Sequence, residues 1–259
     1  MSYANQNNKQ SMANETIISV NQVSRRFGKR YAVQDISFSV NRGEIIGFLG
    51  PNGAGKSTTM NMICGVMASS SGNITIAGHN IVDTPAQAKQ YIGYLPERPP
   101  LYLDQTVDAY LDFCARLHQV PANNLVSAIS GVKQRCGLSE VGHRLIGNLS
   151  RGYQQRTGIA QAIVHSPVVV ILDEATAGLD PNQIVEIRTL IKELGQDHSV
   201  ILSTHILSEV QGICDRVMIM HNGKLVLDTA AASIDNLEQT FIRLTATAQM
   251  PDQQGQVMA

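Results

Sequence analysis

The stretch GPNGAGKS, Gly50 to Ser57, limits what this chain can fold into more than any other eight residues in it. It follows the apolar run IIGFL and precedes STTMNMICGVM, whose apolar residues recur at helical spacing. A strand, a glycine turn and a helix are therefore predicted in that order. Glycine lets the backbone turn tightly with its N–H groups pointing inward, and the helix that follows adds the positive end of its dipole, so the loop is suited to cradle phosphate. At ordinary residue usage a chance match to G-x-x-x-x-G-K-[ST] arises in roughly one chain per hundred of this length. Placement between strand and helix makes it rarer. The expected contacts run through Gly50, Pro51, Asn52, Gly53, Ala54, Gly55, Lys56, Ser57 and Thr58. Lys56 would reach the β- and γ-phosphates of a nucleotide, and the Ser57 hydroxyl would take one Mg²⁺ position.

A second feature fits the first. VVVILDEAT is a run of apolar residues ending in Asp173 and Glu174, which sets two carboxylates at the C-terminal edge of a buried parallel strand, where open α/β sheets bind ligands. Asp173 would hold Mg²⁺ through water, since Mg²⁺ keeps much of its hydration shell. Glu174, on the other side of the strand end, could polarise an attacking water. Together the two motifs predict a P-loop NTPase.

The remaining pattern is α/β. Alternating IISVNQVSRRF and YAVQDISFSV read as antiparallel strands with a basic connection, an edge feeding the core strand GEIIGFLG. ASSSGNITIAGHNI returns from the helix to a strand, and the segment from LYLDQTVDAYLDFCARLHQV to LVSAISGVKQRCGL is helical, interrupted by Pro121. Strand VVVILD, helix NQIVEIRTLIKELG, strand SVILSTH and helix ILSEVQGICD follow, then a hairpin in RVMIMHNGKLVLD and one amphipathic stretch, IDNLEQTFIRLTA. LSRGYQQR, Leu149 to Arg156, reads as a helix start with Ser150 as N-cap, although Tyr153 stands where a capping box would have Glu or Gln.

Bulk properties exclude several classes. At 259 residues and 43% hydrophobic content the chain can bury a sizeable core. A net charge of −1, from 20 basic and 21 acidic residues, provides no global field for nucleic acid or anionic lipid, and no nucleic-acid partner is expected. Cys64, Cys114, Cys136 and Cys214 are too scattered for a disulfide framework or a zinc site, which fits a reducing cytosol. No apolar run approaches the roughly 20 residues that span a bilayer. The N-terminal MSYANQNNKQSMANE is rich in Asn and Gln and reads as a disordered lead.

With LSRGYQQR about one helix before VVVILDEATAGLDP, the chain resembles the nucleotide-binding subunits of ATP-binding cassette (ABC) transporters, whose signature at this place is LSGGQ. The resemblance covers Ile17 to about Asp228. It implies an ABC ATPase fold with a RecA-like core, an N-terminal antiparallel β subdomain and an α-helical subdomain. The implied divisions are a lead over 1–15, an ATPase domain over 16–228 with its helical subdomain at about 99–158, and a C-terminal extension over 229–259. By resemblance, Phe27 in RRFGKR stacks on adenine, Asp180 in GLD belongs to the D-loop, and His205 in STHIL is the switch histidine. An aromatic in such a strand ordinarily packs, so family position is what assigns Phe27. His205 stands apart from His79, His118, His143, His165, His198 and His221, read as surface or satisfied residues, because it directly follows SVILST at the sheet edge of Asp173, where an imidazole can hydrogen-bond the γ-phosphate.

Two departures from the commonest family pattern stand out. Glu97, in IGYLPERPPLY, replaces the usual glutamine; a carboxylate ligates Mg²⁺ harder but repels the γ-phosphate. The signature reads Leu-Ser-Arg-Gly-Tyr, keeping Ser150 and Gly152, the hydroxyl and exposed N–H of an anion-binding helix start, while Arg151 and Tyr153 replace side chains that need not touch phosphate. YLPERPPLYLD, LSRGYQQR and GLDPNQIVEIR together resemble the type-2 exporter branch, the gliding-motility, multidrug and sodium-efflux ATPases.

The resemblance implies a dimer, with an identical copy expected, sandwiching two ATP molecules with Mg²⁺. The insertion from Pro99 to Asn148 would meet an integral membrane permease at the cytoplasmic face of the membrane. Asp180, Glu97 and Tyr153 would take part in dimer contacts and coupling. A soluble non-transport ABC ATPase and a regulatory ATP-binding module remain the alternatives; the single phosphate loop and the lack of sustained heptads weigh against the first, and Glu174 with His205 against the second.

Overall fold

A computed structural model of the chain describes residues 15–246. The lead expected over 1–15 lies, apart from Glu15, outside the described residues, as does the polar end of the C-terminal extension.

Two sheets organise the protein. β1 (Thr16–Phe27) and β2 (Arg30–Asn41) pair antiparallel, as their alternation predicts. β4 (Ser71–Ile76) adds to β1, with Val20 opposite Ile74, and β5 (His79–Asn80) closes a sheet ordered β2-β1-β4-β5. The second sheet holds β3 (Ile45–Leu49), β6 (Ile92–Leu95), β7 (Val169–Asp173), β8 (Ser199–Thr204), β9 (Arg216–His221) and β10 (Lys224–Ala230). Its order is β10-β9-β3-β8-β7-β6, parallel except for β10. The edge strand and the core strand that it feeds thus belong to different sheets. The strand after the phosphate-loop helix likewise returns to the antiparallel sheet. Hydrophobic pattern alone does not choose between two sheets.

The parallel strands separate two cores by side-chain alternation. Ile46 and Phe48, Val169 and Ile171, Ile201, and Met218 and Met220 face one way, towards the antiparallel sheet and the buried Met60, Met62 and Ile63 of α1 (Lys56–Ile63). The short α2 (Pro85–Gln90) joins them through Ala88. Ile45 and Leu49, Val170 and Leu172, Val200 and Leu202, and Val217 and Ile219 face the other core. That core takes in α3 (Val107–Leu117), α4 (Leu125–Arg135), α5 (Arg151–Ile163) and α6 (Pro181–Leu194). α3 buries Val107, Tyr110, Leu111, Cys114 and Ala115, one helical face, and its Thr106 cap accepts the Ala109 N–H at 3.2 Å. Lys133 of α4 pairs with Asp108 of α3 at 2.5 Å.

The helix expected over ILSEVQGICD shrinks to α7 (Leu207–Val210). Gln211 is extended and Gly212 has φ +79 because the chain must return to the sheet at once. The Asp215 N–H donates to the Ile45 carbonyl at 2.8 Å, and Val210 and Cys214 press on β3 where Gly47 leaves room for no side chain. Asn222 and Gly223, both with positive φ, make the expected tight turn between β9 and β10. α8 (Leu237–Ala246) ends the described chain, packing Leu237, Phe241 and Leu244 on the second core. All four cysteines are buried and free. Among the described residues no helix is long and apolar enough to cross a membrane.

Candidate functional site

The phosphate loop leaves the C-terminal end of β3 and enters α1 through Gly55, whose φ of +107 and whose approach to the Ala32 carbonyl admit no side chain; a Cβ there would lie 2.4 Å from that oxygen. No side chain caps α1, so its first N–H groups are available to an anion, while within the loop the Ala54 N–H is spent on the Pro51 carbonyl at 3.1 Å. A cavity of about 720 Å³ opens over them, lined by Asn52, Gly53, Gly55, Lys56, Ser57 and Thr58 together with Glu97, Glu174, Ala177, His205 and Phe27. Expected site residues from well-separated parts of the chain thus meet at one place.

Lys56 is 5% exposed; its ammonium donates to the Gly50 carbonyl at 2.9 Å and lies 3.5 Å from Oε1 of Glu174. Glu174 has φ +51, a turn imposed where β7 ends and its N–H donates to the Ser203 carbonyl at 2.8 Å. That turn swings its side chain, 11% exposed, between Lys56 and His205. Oε2 of Glu174 accepts from the Nδ1–H of His205 at 2.8 Å, which leaves Nε2 as the ring nitrogen free to serve a ligand. A carboxylate bridging a lysine and a histidine beside a phosphate loop can orient water, and the lysine and the loop amides can take developing negative charge.

Asp173 does not line the cavity. It is buried on the α1 side of β7, and its Oδ1 has no hydrogen-bond partner. An orphaned buried carboxylate oxygen fits a hydrated cation, and Ser57, one residue into α1, fits as its oxygen partner. Glu97, exposed in the loop after β6, reaches the same cavity.

Residues that the sequence did not single out complete the lining. Arg30, Tyr31 and Ala32 come from β2, and Asn222 with Gly223 from the β9–β10 turn, whose Gly223 carbonyl accepts the Gln34 N–H at 2.7 Å. Tyr31 is half exposed beside Phe27, over whose ring the Arg25 guanidinium sits at 4.7 Å. The basic and aromatic clustering of RRFGKRY was the only available signal; which members face the cavity depends on sheet register.

Ser150, Gly152, Tyr153 and Asp180 lie outside this cavity. Ser150 is the N-cap of α5, as expected, yet its hydroxyl bonds nothing in that helix and is exposed. Gly152 departs from expectation: it is buried, and a Cβ would lie 2.8 Å from the Gln183 side chain. Asp180 caps α6, accepting from Gln183 N–H at 3.0 Å in a full capping box. Arg151 donates to the Gly178 carbonyl at 3.4 Å. Gln154 and Arg156 fasten α5 elsewhere, the former to the Ile146 carbonyl at 3.1 Å, the latter to the Cys136 carbonyl at 3.1 Å and Glu186 at 2.6 Å. Three polar residues of LSRGYQQR, Arg151, Gln154 and Arg156, are thus anchors, Ser150 and Tyr153 face out, and Gln155 is buried with its Nε2 unpartnered.

Of the six other histidines, His198 is buried with Nδ1 on the Pro167 carbonyl at 2.7 Å, and His79 stacks on Tyr91. His118 and His165 stack at 3.8 Å between ring centres, their planes nearly parallel. Burial pushes His165 down to about 4, with His118 adding to the shift. Its Nδ1 and that of His221 lack partners, so these two are less satisfied than the sequence suggested.

The family described as ABC transporter matches residues 33–177. The uncharacterized ABC transporter ATP-binding protein YxlF of Bacillus subtilis is 35% identical over 226 residues, covering 87% of this chain and 75% of that protein. The bacitracin transport ATP-binding protein BcrA of Bacillus licheniformis is 38% identical over 213 residues, covering 82% and 69%. Among solved structures, cbiO1 from Clostridium perfringens, described as part of the ABC transporter complex cbiONQ, superposes with a TM-score of 0.79 at 28% identity, covering 89% and 94%.

Proposed function

The chain belongs to the ABC transporter family, and on that premise we propose that two identical copies close around two ATP molecules, each phosphate loop facing the other copy's helix start at Ser150. As an ATP-binding subunit of an ABC transporter it is an ATPase coupled to transport, and such subunits work with a membrane permease component.

The observation that carries the proposed mechanism is the Lys56–Glu174–His205 group at the mouth of the phosphate loop. Lys56 and the loop amides hold the β- and γ-phosphates. Glu174 accepts a hydrogen bond from the attacking water and polarises it towards the γ-phosphorus. In its doubly protonated form His205 donates Nδ1–H to Glu174 and Nε2–H to the γ-phosphate. Phe27 stacks on the adenine, with Tyr31 beside it. Ser57 and Asp173, with Glu97, would hold Mg²⁺, which when bound neutralises phosphate charge. Ser150 and the α5 N-terminus complete the other copy's site.

Closure on ATP and opening after hydrolysis pass to the permease through the Glu97 loop and the helices between Pro99 and Asn148, at the cytoplasmic face of the membrane. The stretches shared with exporter ATPases support export as the direction. The test is ATP hydrolysis by the purified wild type beside Glu174→Gln. Slow turnover in the first, abolished in the second with an ATP-stabilised dimer left behind, is expected. Equal rates would overturn the role of Glu174.

A further inference from the structure

We propose that Glu209 is a positioning residue for hydrolysis, a buried carboxylate that holds the Glu174 loop and the His205 loop in register. Glu209 lies on α7 and is 1% exposed. One of its oxygens accepts from the Thr176 hydroxyl and the other from the Thr204 hydroxyl at 2.6 Å. Thr176 is two residues past Glu174, and Thr204 immediately precedes His205. Thr204 Oγ1 also accepts the Ile206 N–H at 3.1 Å, so Glu209 fixes the hydroxyl that turns the chain at His205. The two loops it joins carry the two side chains that meet at 2.8 Å in the cavity.

Chemistry explains why a carboxylate is used. Glu209 makes no ion pair among the described residues, and a buried carboxylate served only by hydroxyls is costly to desolvate. An apolar side chain of like volume would serve packing better. A carboxylate alone is acceptor on both oxygens and takes both hydroxyl protons at once; an amide takes one and presents N–H₂ to the other. The Glu174 N–H bond to the Ser203 carbonyl sets the strand ends, but the side chains branch beyond it, where Glu209 acts.

The inference rests on the reading of Glu174 and His205 as catalytic, so Glu174→Gln and His205→Ala are measured alongside, all in the full chain, by steady-state ATP hydrolysis and equilibrium binding of a fluorescent ATP analogue. Glu209→Gln is expected to lower kcat at least about tenfold while KM and nucleotide affinity stay within about twofold, the pattern of misplaced catalytic groups on an intact binding site. In a His205→Ala background the same change should cost clearly less than it does in the wild type, because the His205 side of the register is already lost. Should Glu209→Gln not fold, Thr204→Val carries the test, with loss of kcat expected and recovery in Thr204→Ser. A Glu209→Gln rate near wild type while Glu174→Gln is inactive overturns this inference alone. So does an independent, multiplicative loss in the double variant, or a fall in nucleotide affinity equal to that in kcat. Wild-type turnover in Glu174→Gln overturns the catalytic reading beneath it.

Discussion

The phosphate-loop half of the site and the half at the start of α5 are built in opposite ways. In the first, groups from β1, β2, the Gly50–Ser57 loop and the turns that follow β7 and β8 converge on one cavity and satisfy one another: Lys56 is spoken for by Gly50 and Glu174, and Glu174 by His205. In the second, Arg151 to Gly178 and Arg156 to Glu186 tie α5 to the segment that carries α6, and Asp180 to Gln183 caps α6, while Ser150 makes no cap bond and faces solvent. The first half is organised to bind by itself. The second is organised as an edge that leaves the Ser150 and Tyr153 hydroxyls unused, which suits a partner surface.

The contrast can be broken most forcefully at Glu174. Removing a general base typically costs 10² to 10⁴ in rate, so Glu174→Gln should lose at least about two orders of magnitude in kcat, measured by phosphate release, with ATP affinity retained. Ser150→Ala comes next. A lost hydrogen bond to a charged group, worth about 1.5–3 kcal/mol, should slow the dimer roughly ten- to a hundredfold while monomer nucleotide binding, read by equilibrium titration, stays intact. Equal damage to monomer binding would erase the distinction between the halves.

Much of the first half is legible in sequence, because its signals are local. The glycine loop lies between strand and helix, Asp173 and Glu174 end an apolar run, and His205 ends another. The Asn222–Gly223 turn is readable for the same reason, since positive φ selects its residues. The second half is not legible in this way. That Gly152 is buried under Gln183, that Asp180 spends its carboxylate on a cap, and that α7 stops after Val210 all follow from packing between distant segments. Glu209 is the sharpest case: in ILSEVQ it reads as a helix-surface acid, and only the meeting of Thr176 and Thr204 makes it a buried clamp.

Smaller effects sharpen the picture of the second half as scaffold. His165, held down at about 4 chiefly by burial, stacks on His118 where the end of α3 meets the end of α5. Its unfolded value lies near 6.5, so the unfolded chain binds the extra proton between about pH 6.5 and 4, and stability should fall as pH drops through that window, by about 3 kcal/mol at most. Melting temperatures at pH 7 and 4.5 check this, and His165→Leu should flatten the dependence. Arg156→Ala should lower stability by about 1–2 kcal/mol through its carbonyl and Glu186 bonds, read from denaturant midpoints. Tyr153→Gln, at an exposed position whose side chain holds nothing in the fold, should change the hydrolysis rate less than about threefold.

Mixing two impaired variants, Lys56→Ala and Ser150→Ala, tests the division of labour most directly. If each site takes its phosphate loop from one copy and its helix start from the other, a mixed dimer contains one site with both halves intact. Hydrolysis should then reappear on mixing, up to about a quarter of the wild-type rate for random pairing in a two-fold dimer. A mixture no more active than its better component would contradict the account, placing Lys56 and Ser150 in the same copy's site or in no shared site at all.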